Sequence, residues 1–140
     1  MTEFLHRIRV FVYSYKAGAP DYLLLKRDGG RESFWTPLNG SLGFGEQFES
    51  AVRREVVEEV GIAAPSQLID LDMPSRFELG DEQVVEWSFA CRAPLEDPKP
   101  KLAHPWAAFQ WAQFDEAYPQ LEFEQDRRAI VRLHTLLHAA

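Results

Sequence analysis

Gly40-Ser41-Leu42-Gly43-Phe44-Gly45-Glu46 runs directly into Gln47-Phe48-Glu49-Ser50-Ala51-Val52-Arg53-Arg54-Glu55-Val56-Val57-Glu58-Glu59-Val60-Gly61-Ile62. A glycine-rich loop therefore enters a segment crowded with carboxylates. The spacing predicts a helix from about Gln47 to Val60, because Phe48, Val52, Val56 and Val60 fall every fourth residue and form one apolar stripe. Gly61 followed by Ile62 is a natural stop, with glycine at the left-handed position and an apolar residue beyond it. Glu46 and Glu49 stand where negative charge suits the start of a helix.

On that helix Glu55, Glu58 and Glu59 lie at i, i+3 and i+4, within an arc of about 100°. Three carboxylates this close repel one another, and a solvated acidic face is the ordinary reading of such a run. Glu59 argues against it, since its angle overlaps the Phe48/Val52 side of the stripe and burying a carboxylate there is costly without a cation. Hard oxygen ligands of this kind suit Mg²⁺ or Mn²⁺. Arg54 carries a planar fork that can hold Glu46 or a helix glutamate by two hydrogen bonds. The glycines let backbone approach a metal or phosphate closely.

Outward from this segment, Arg7–Tyr15 alternates: Ile8, Val10 and Val12 share one face, Phe11, Tyr13 and Tyr15 the other. That predicts a strand covered on both sides. A turn over Lys16–Asp21, a strand over Tyr22–Lys26 and a polar loop over Asp28–Ser33 follow. Beyond Pro65, strands are expected over Leu68–Leu79 and Val84–Arg92 with a turn at Gly80-Asp81, then a proline-rich loop over 93–105 with a lid or binding role. A short strand Ala108–Ala112 and a helix Glu124–His138, with Ile130, Leu133 and Leu137 on its apolar face, complete the chain. This order indicates an α/β fold with a mixed sheet between helices.

The 140 residues suit one domain, 1–140, and an apolar fraction of 46% with 10 Phe, 4 Trp and 4 Tyr suits a packed core. A formal charge of −7 argues against nucleic acid and anionic membrane as partners. Cys91 is the sole cysteine, which excludes an intramolecular disulfide and a cysteine-based zinc site. With no spanning segment or signal-like run, a cytoplasmic setting is expected.

The pattern Gly40-x5-Glu46-x7-Arg54-Glu55-Val56-x-Glu58-Glu59-x-Gly61-Ile62 resembles the Nudix hydrolase signature at every position. The resemblance implies an α/β/α sandwich and hydrolysis of a nucleoside diphosphate linked to a further group. It implies Glu55, Glu58 and Glu59 as metal ligands with the backbone of Asn39 or Gly40, Glu46 as an additional carboxylate and Arg54 as the residue orienting them. The catalytic set is then Glu58, Glu55, Arg54 and Glu46, with Mg²⁺ (or Mn²⁺) as cofactor. Within the superfamily, Phe34-Trp35-Thr36-Pro37-Leu38-Asn39-Gly40-Ser41 looks like the FWQxxTGS run of the dihydroneopterin triphosphate and dATP pyrophosphohydrolase branch. Arg27-Asp28, Glu86-Trp87-Ser88-Phe89 and Phe109-Gln110-Trp111 look similar too.

Many members of the family carry a further glutamate where this chain has Leu102-Ala103-His104-Pro105-Trp106. The general base is therefore open among a box glutamate, ranked first, His104, and Asp81, Glu82 or Glu86. Arg27 and Arg76 are candidate polyphosphate contacts, and Trp35 and Phe77 candidate stacking partners, with core packing or solvation as their ordinary roles. His104 completes the substrate-binding set. His134 and His138, at i, i+4, lack a third zinc ligand. The expected substrate is a small nucleoside diphosphate derivative, most specifically a nucleoside or pterin triphosphate split into pyrophosphate and monophosphate. A diadenosine polyphosphate hydrolase and a non-catalytic nucleotide sensor are the alternatives. Monomer and homodimer are both compatible with the sequence.

Overall fold

A computed structural model describes residues 4–29 and 33–138. The centre of the expected Asp28–Ser33 loop, residues 30–32, lies outside the described residues. Strand β1 (Phe4–Lys16) is the axis of the fold. Its alternation is realised: Ile8, Val10 and Val12 enter one core, and Phe11 and Tyr13 enter a second core on the opposite face. The Ala17-Gly18 pair, both at positive φ, then reverses the chain into β2 (Ala19–Arg27), which pairs antiparallel with β1 through Tyr13 and Tyr22. Two residues suffice for the turn, so the expected Lys16–Asp21 connection is shorter and Pro20 is already in the strand.

Two strands not separated by the sequence pattern flank this hairpin. β3 (Trp35–Thr36) pairs with β2, and β4 (Leu38–Ser41) pairs with the first half of β1, Arg7 opposite Ser41 and Val10 opposite Leu38. Gly40 and Ser41 thus belong to a strand and not to the loop. The expected Leu68–Leu79 strand is two, β5 (Ser66–Asp70) and β6 (Ser75–Leu79). Asp72 at φ 52 and Pro74, which has no N–H to donate, break the ladder between them. Both pair antiparallel with the long β7 (Glu82–Arg92), which runs parallel to β1 along its other edge. β8 (Trp106–Ala112), starting two residues earlier than expected, closes the far side of β2. The result is a mixed sheet of eight strands.

Helix α1 (Phe48–Glu55) packs Ala51 and Val52 on the face of Ile8, Val10, Leu25 and Phe89. It does not continue as α-helix to Val60: residues Val56–Val60 form a π-helical turn, closed by the Ile62 N–H on the Val56 carbonyl at 3.4 Å. Gly61, at φ 71, ends it as expected. The other face carries α2 (Phe114–Gln120) and α3 (Glu124–His138), through Ala117, Leu121, Ala129, Ile130 and Leu133. α2 has no counterpart in the sequence reading, because Pro119 in its last turn interrupts the helical pattern. The three layers are helix, sheet and helices, the sandwich the signature implies. Among the described residues no helix is long and apolar enough to cross a membrane.

Candidate active site

Strand β4 delivers Asn39, Gly40 and Ser41 beside the end of α1, and Glu55 is the carboxylate that meets them. Its side chain is buried, 5% exposed, and its Oε1 accepts the Ser41 N–H at 3.3 Å and Arg54 Nη1 at 3.0 Å. Arg54 also holds Glu46 with two bonds, Nε to Oε2 at 2.9 Å and Nη2 to Oε1 at 3.0 Å, and its Nη2 reaches the Ser41 carbonyl at 2.9 Å. Glu46 Oε1 accepts the Gly43 N–H at 2.9 Å as well. The Arg54 fork, then the Gly43 amide, hold the Glu46 carboxyl down at about 2, and the same pairing pushes the Arg54 guanidinium up. One arginine therefore joins loop, strand and helix.

The carboxylate that intrudes on the buried side is Glu55 and not Glu59. Glu59 is partly buried and Glu58 exposed. The widened turn rotates both away from the α-helical phase on which the expectation for Glu59 rests. Among the described residues no three His, Cys, Asp or Glu side chains are gathered at metal-binding distance. The donor chemistry nevertheless fits a hard divalent ion: Glu55, Glu58 and Glu59 supply oxygen donors from successive turns, and Gly40 leaves its Cβ position to the Glu55 carboxylate. Gly40 and Asn39 run alongside in β4.

The π-helical turn ends on carbonyls that a helix leaves unpaired, and the loop before β8 supplies their donors. Lys101 N–H bonds the Val60 carbonyl at 2.8 Å and Ala103 N–H the Glu59 carbonyl at 2.9 Å. Asp28 N–H reaches the Pro105 carbonyl at 2.9 Å. The expected lid is thus stitched on both sides, with His104 exposed between the anchors.

On the other side of β4, Asn39 also lines a cleft of about 720 Å³. Arg7, Arg27 and Arg76 stand at its rim, and none of the three is in an ion pair among the described residues. Arg27 stacks on Trp106, 4.7 Å from the ring centre, and burial and then the charge of Arg7 lower its basicity. Phe34, Phe77 and Phe123 form apolar wall. Of the expected substrate contacts, the structure brings Arg27, Arg76 and Phe77 to this cleft. Trp35 does not line it: the ring packs with the α2/α3 core beneath Lys26. His104 does not line it either.

The sequence pattern does not disclose the base of the cleft. Arg9, 5% exposed, donates from Nε to Asp126 Oδ1 at 2.7 Å, from Nη1 to Ser88 Oγ at 2.8 Å, and from Nη2 to Glu86. Burial raises the Asp126 carboxyl while Arg9 pulls it back. The available signal is Arg9 itself, a charge on the Phe11/Tyr13 face of an otherwise apolar strand. Glu86, a candidate base on sequence grounds, is engaged here as an ion-pair partner.

The NUDIX domain model matches residues 5–134. The chain belongs to the NUDIX family. An octanoyltransferase of Myxococcus xanthus is 35% identical over 114 residues, 79% of this chain, although the chain spans only 31% of that protein's length. The dihydroneopterin triphosphate pyrophosphohydrolase of E. coli has a similar structure, with a TM-score of 0.78, 24% identity and coverage of 93% of this chain and 94% of that one. The Ap4A hydrolase of C. elegans, as a binary complex, gives a TM-score of 0.75 at 20% identity, covering 97% and 99%. At these identities the two structures establish the fold. NUDIX enzymes are hydrolases that generally use divalent metals.

Proposed function

We propose that this NUDIX protein hydrolyses the pyrophosphate link between the α- and β-phosphates of a nucleoside or pterin triphosphate, releasing pyrophosphate and the monophosphate. The observation that carries the reading is the placement of Glu55, wedged between Gly40 and Arg54, one residue along β4 from a cleft rimmed by three arginines that have no ion pair among the described residues. In a chain of charge −7, a rim of Arg7, Arg27 and Arg76 is suited to an anion.

A bound divalent ion, Mg²⁺ or Mn²⁺, supplies charge neutralisation and a more acidic water at the box carboxylates. Glu55, Glu58 and Glu59 would hold it, with the backbone of Asn39 or Gly40 alongside. Arg54 sets the direction of Glu55 and Glu46. Arg27 and Arg76 bind the polyphosphate and take up charge as the leaving pyrophosphate departs. Water attacks phosphorus, one P–O bond forms and the bridging P–O bond breaks. Glu58, exposed and outside the Arg54 network, receives the proton.

Acyl transfer is not proposed. The name octanoyltransferase belongs to a much longer protein, and Cys91, buried with its thiol pushed up to about 12 by desolvation, offers no thiolate here.

A panel of triphosphates with Mg²⁺, products separated by anion exchange, tests the proposal. Pyrophosphate release that Glu58→Gln lowers by about 10²-fold or more is expected. A nucleoside triphosphate as product from diadenosine tetraphosphate, with no triphosphate cleaved, would move the assignment to dinucleoside polyphosphates. Nucleotide binding with no hydrolysis of any phosphoanhydride would make the protein a sensor.

A further inference from the structure

Helix α3 packs Ala129, Ile130 and Leu133 into the core and turns its other side outwards. Along that outer side lies a groove of about 450 Å³, bounded by Tyr118 of α2 and by Met73 from the connection between β5 and β6. It shares no lining residue with the cleft beside β4. Val131, Leu136 and Tyr118, which are 42%, 39% and 37% exposed, give it an apolar lining together with Met73. Three arginines and one glutamate supply its charge. Arg128 is paired with that glutamate, Glu124, at 3.3 Å. Arg127 and Arg132 have no ion pair among the described residues. Each is tethered through Nε to a main-chain carbonyl, Arg127 to Leu121 at 2.6 Å and Arg132 to Leu71 at 2.5 Å. The Arg127 guanidinium also lies over the Tyr118 ring, 5.6 Å from its centre. Tethering at Nε orders both guanidiniums while their Nη donors stay open, so less freedom is lost when they receive an anion.

We propose that this groove is a second binding site, for an amphiphilic organic anion. Arg127 and Arg132 hold its carboxylate or phosphate head, and an unbranched aliphatic body lies along Met73, Val131 and Leu136. The head follows from two ordered guanidiniums without a counter-charge. The body follows from the apolar lining, which a bare phosphate or acetate would leave in water. From Arg127 to Leu136 the helix rises about 14 Å, room for a chain much longer than acetate. The volume falls in the range of about 300–1,000 Å³ usual for small-molecule sites. A protein partner needs about 800 Å² on each side, which three partly exposed apolar side chains do not supply. A second copy of the chain would set this arginine-rich face against itself.

No box or cleft residue takes part, so the site stands apart from the hydrolytic reading. Amide–nitrogen correlation NMR of the intact chain, titrated with decanoate in EDTA, locates it. Shifts are expected at Met73, Arg127, Val131, Arg132, Thr135 and Leu136. The Kd should lie below about 5 mM, and binding should be about tenfold or more tighter than for butanoate. Decylammonium, with the same tail and the opposite charge, should leave those amides unmoved. Decyl phosphate tells the heads apart: whichever of the two anions binds more tightly names the head, and either result sustains the site. Val131→Glu sets a carboxylate beside the guanidiniums at a half-exposed position, and should weaken decanoate by about tenfold or more with an unchanged melting curve. Unchanged affinity in the folded variant overturns the proposal. So do shifts confined to the cleft beside β4, equal perturbation by decanoate and decylammonium, or no shift in the wild-type chain, even if Val131→Glu fails to fold.

Discussion

Gly40 in β4 and Glu55 at the end of α1 occupy one space: a Cβ built on Gly40 would lie 2.5 Å from Cδ of Glu55. The contact sets how close strand and carboxylate can come. Gly40 is not among the residues at positive φ, so the glycine serves proximity and not an unusual turn. Gly40→Ala should displace the Glu55 carboxylate, and kcat should fall by about 10²-fold, the order expected of a misplacement near 1 Å. Because the clash is with a side chain, the melting temperature should change little. Steady-state kinetics beside a melting curve checks both.

Arg54 makes four hydrogen bonds, to Glu46 twice, Glu55 and Ser41. A lysine could satisfy only part of this fork. Arg54→Lys should lower activity by about 10- to 100-fold, in the range for loss of a ligand-orienting partner, and raise the Mg²⁺ concentration needed for half-maximal rate. A metal titration of the rate tests this.

Arg27, stacked on Trp106 and beside Arg7, has no described counter-charge. Arg27→Ala should raise KM for a triphosphate by about tenfold, at about 1.4 kcal/mol of binding, with a smaller effect on kcat. A fall in kcat at unchanged KM would remove it from ground-state phosphate binding.

At the opposite end of β1, Asp21 is buried, and burial followed by hydrogen bonding to Asp97 lifts its carboxyl to about 6. Asp97 Oδ1 in turn accepts from Ser14 Oγ at 2.6 Å. A raised acid binds its proton more tightly in the folded state than in the unfolded chain. This group therefore favours folding below the ordinary aspartate value of 3.8, and that contribution is lost as pH rises through about 6. Asp21→Asn, permanently neutral, should add about 1 kcal/mol at pH 7.5 and change little at pH 4. Urea unfolding at the two pH values decides.

Gly61 stands at φ 71 with its Cβ position 2.5 Å from the Lys101 carbonyl oxygen. Gly61→Ala meets backbone on one side and a left-handed conformation on the other, and should destabilise by about 2–4 kcal/mol. Denaturant unfolding measures it. Unlike Gly40→Ala, this change should lower the midpoint markedly.

How much of the molecule is legible in its sequence depends on what each feature answers to. The period-two alternation of β1 and the Phe48/Val52 stripe report local backbone geometry and burial, and both read correctly. The π-helical turn does not read, because its carbonyls are completed by Lys101 and Ala103 from a loop some 40 residues on. β4 cannot be separated from the glycine loop by pattern, since Asn39 and Gly40 become strand only through pairing with Arg9 and Ile8. The Arg54–Glu46 pair is within reach of the signature. The Arg9–Glu86–Asp126 cluster is not, as it unites three elements by tertiary contact alone. Trp35 shows the converse: an aromatic in a suggestive run that packs in the core.

The parallel pairing of β1 with β7 has a consequence for how the chain reaches its native state. β1 finds β2 across a two-residue turn, but its other edge waits for residues such as Phe89, the partner of Val10. During synthesis an apolar strand, bare along one side, must persist until most of the chain has been made. Such edges are where non-native pairing and aggregation begin. Refolding yield should therefore be more sensitive to β7 than to β2, since a strand made long after β1 completes the centre of the sheet.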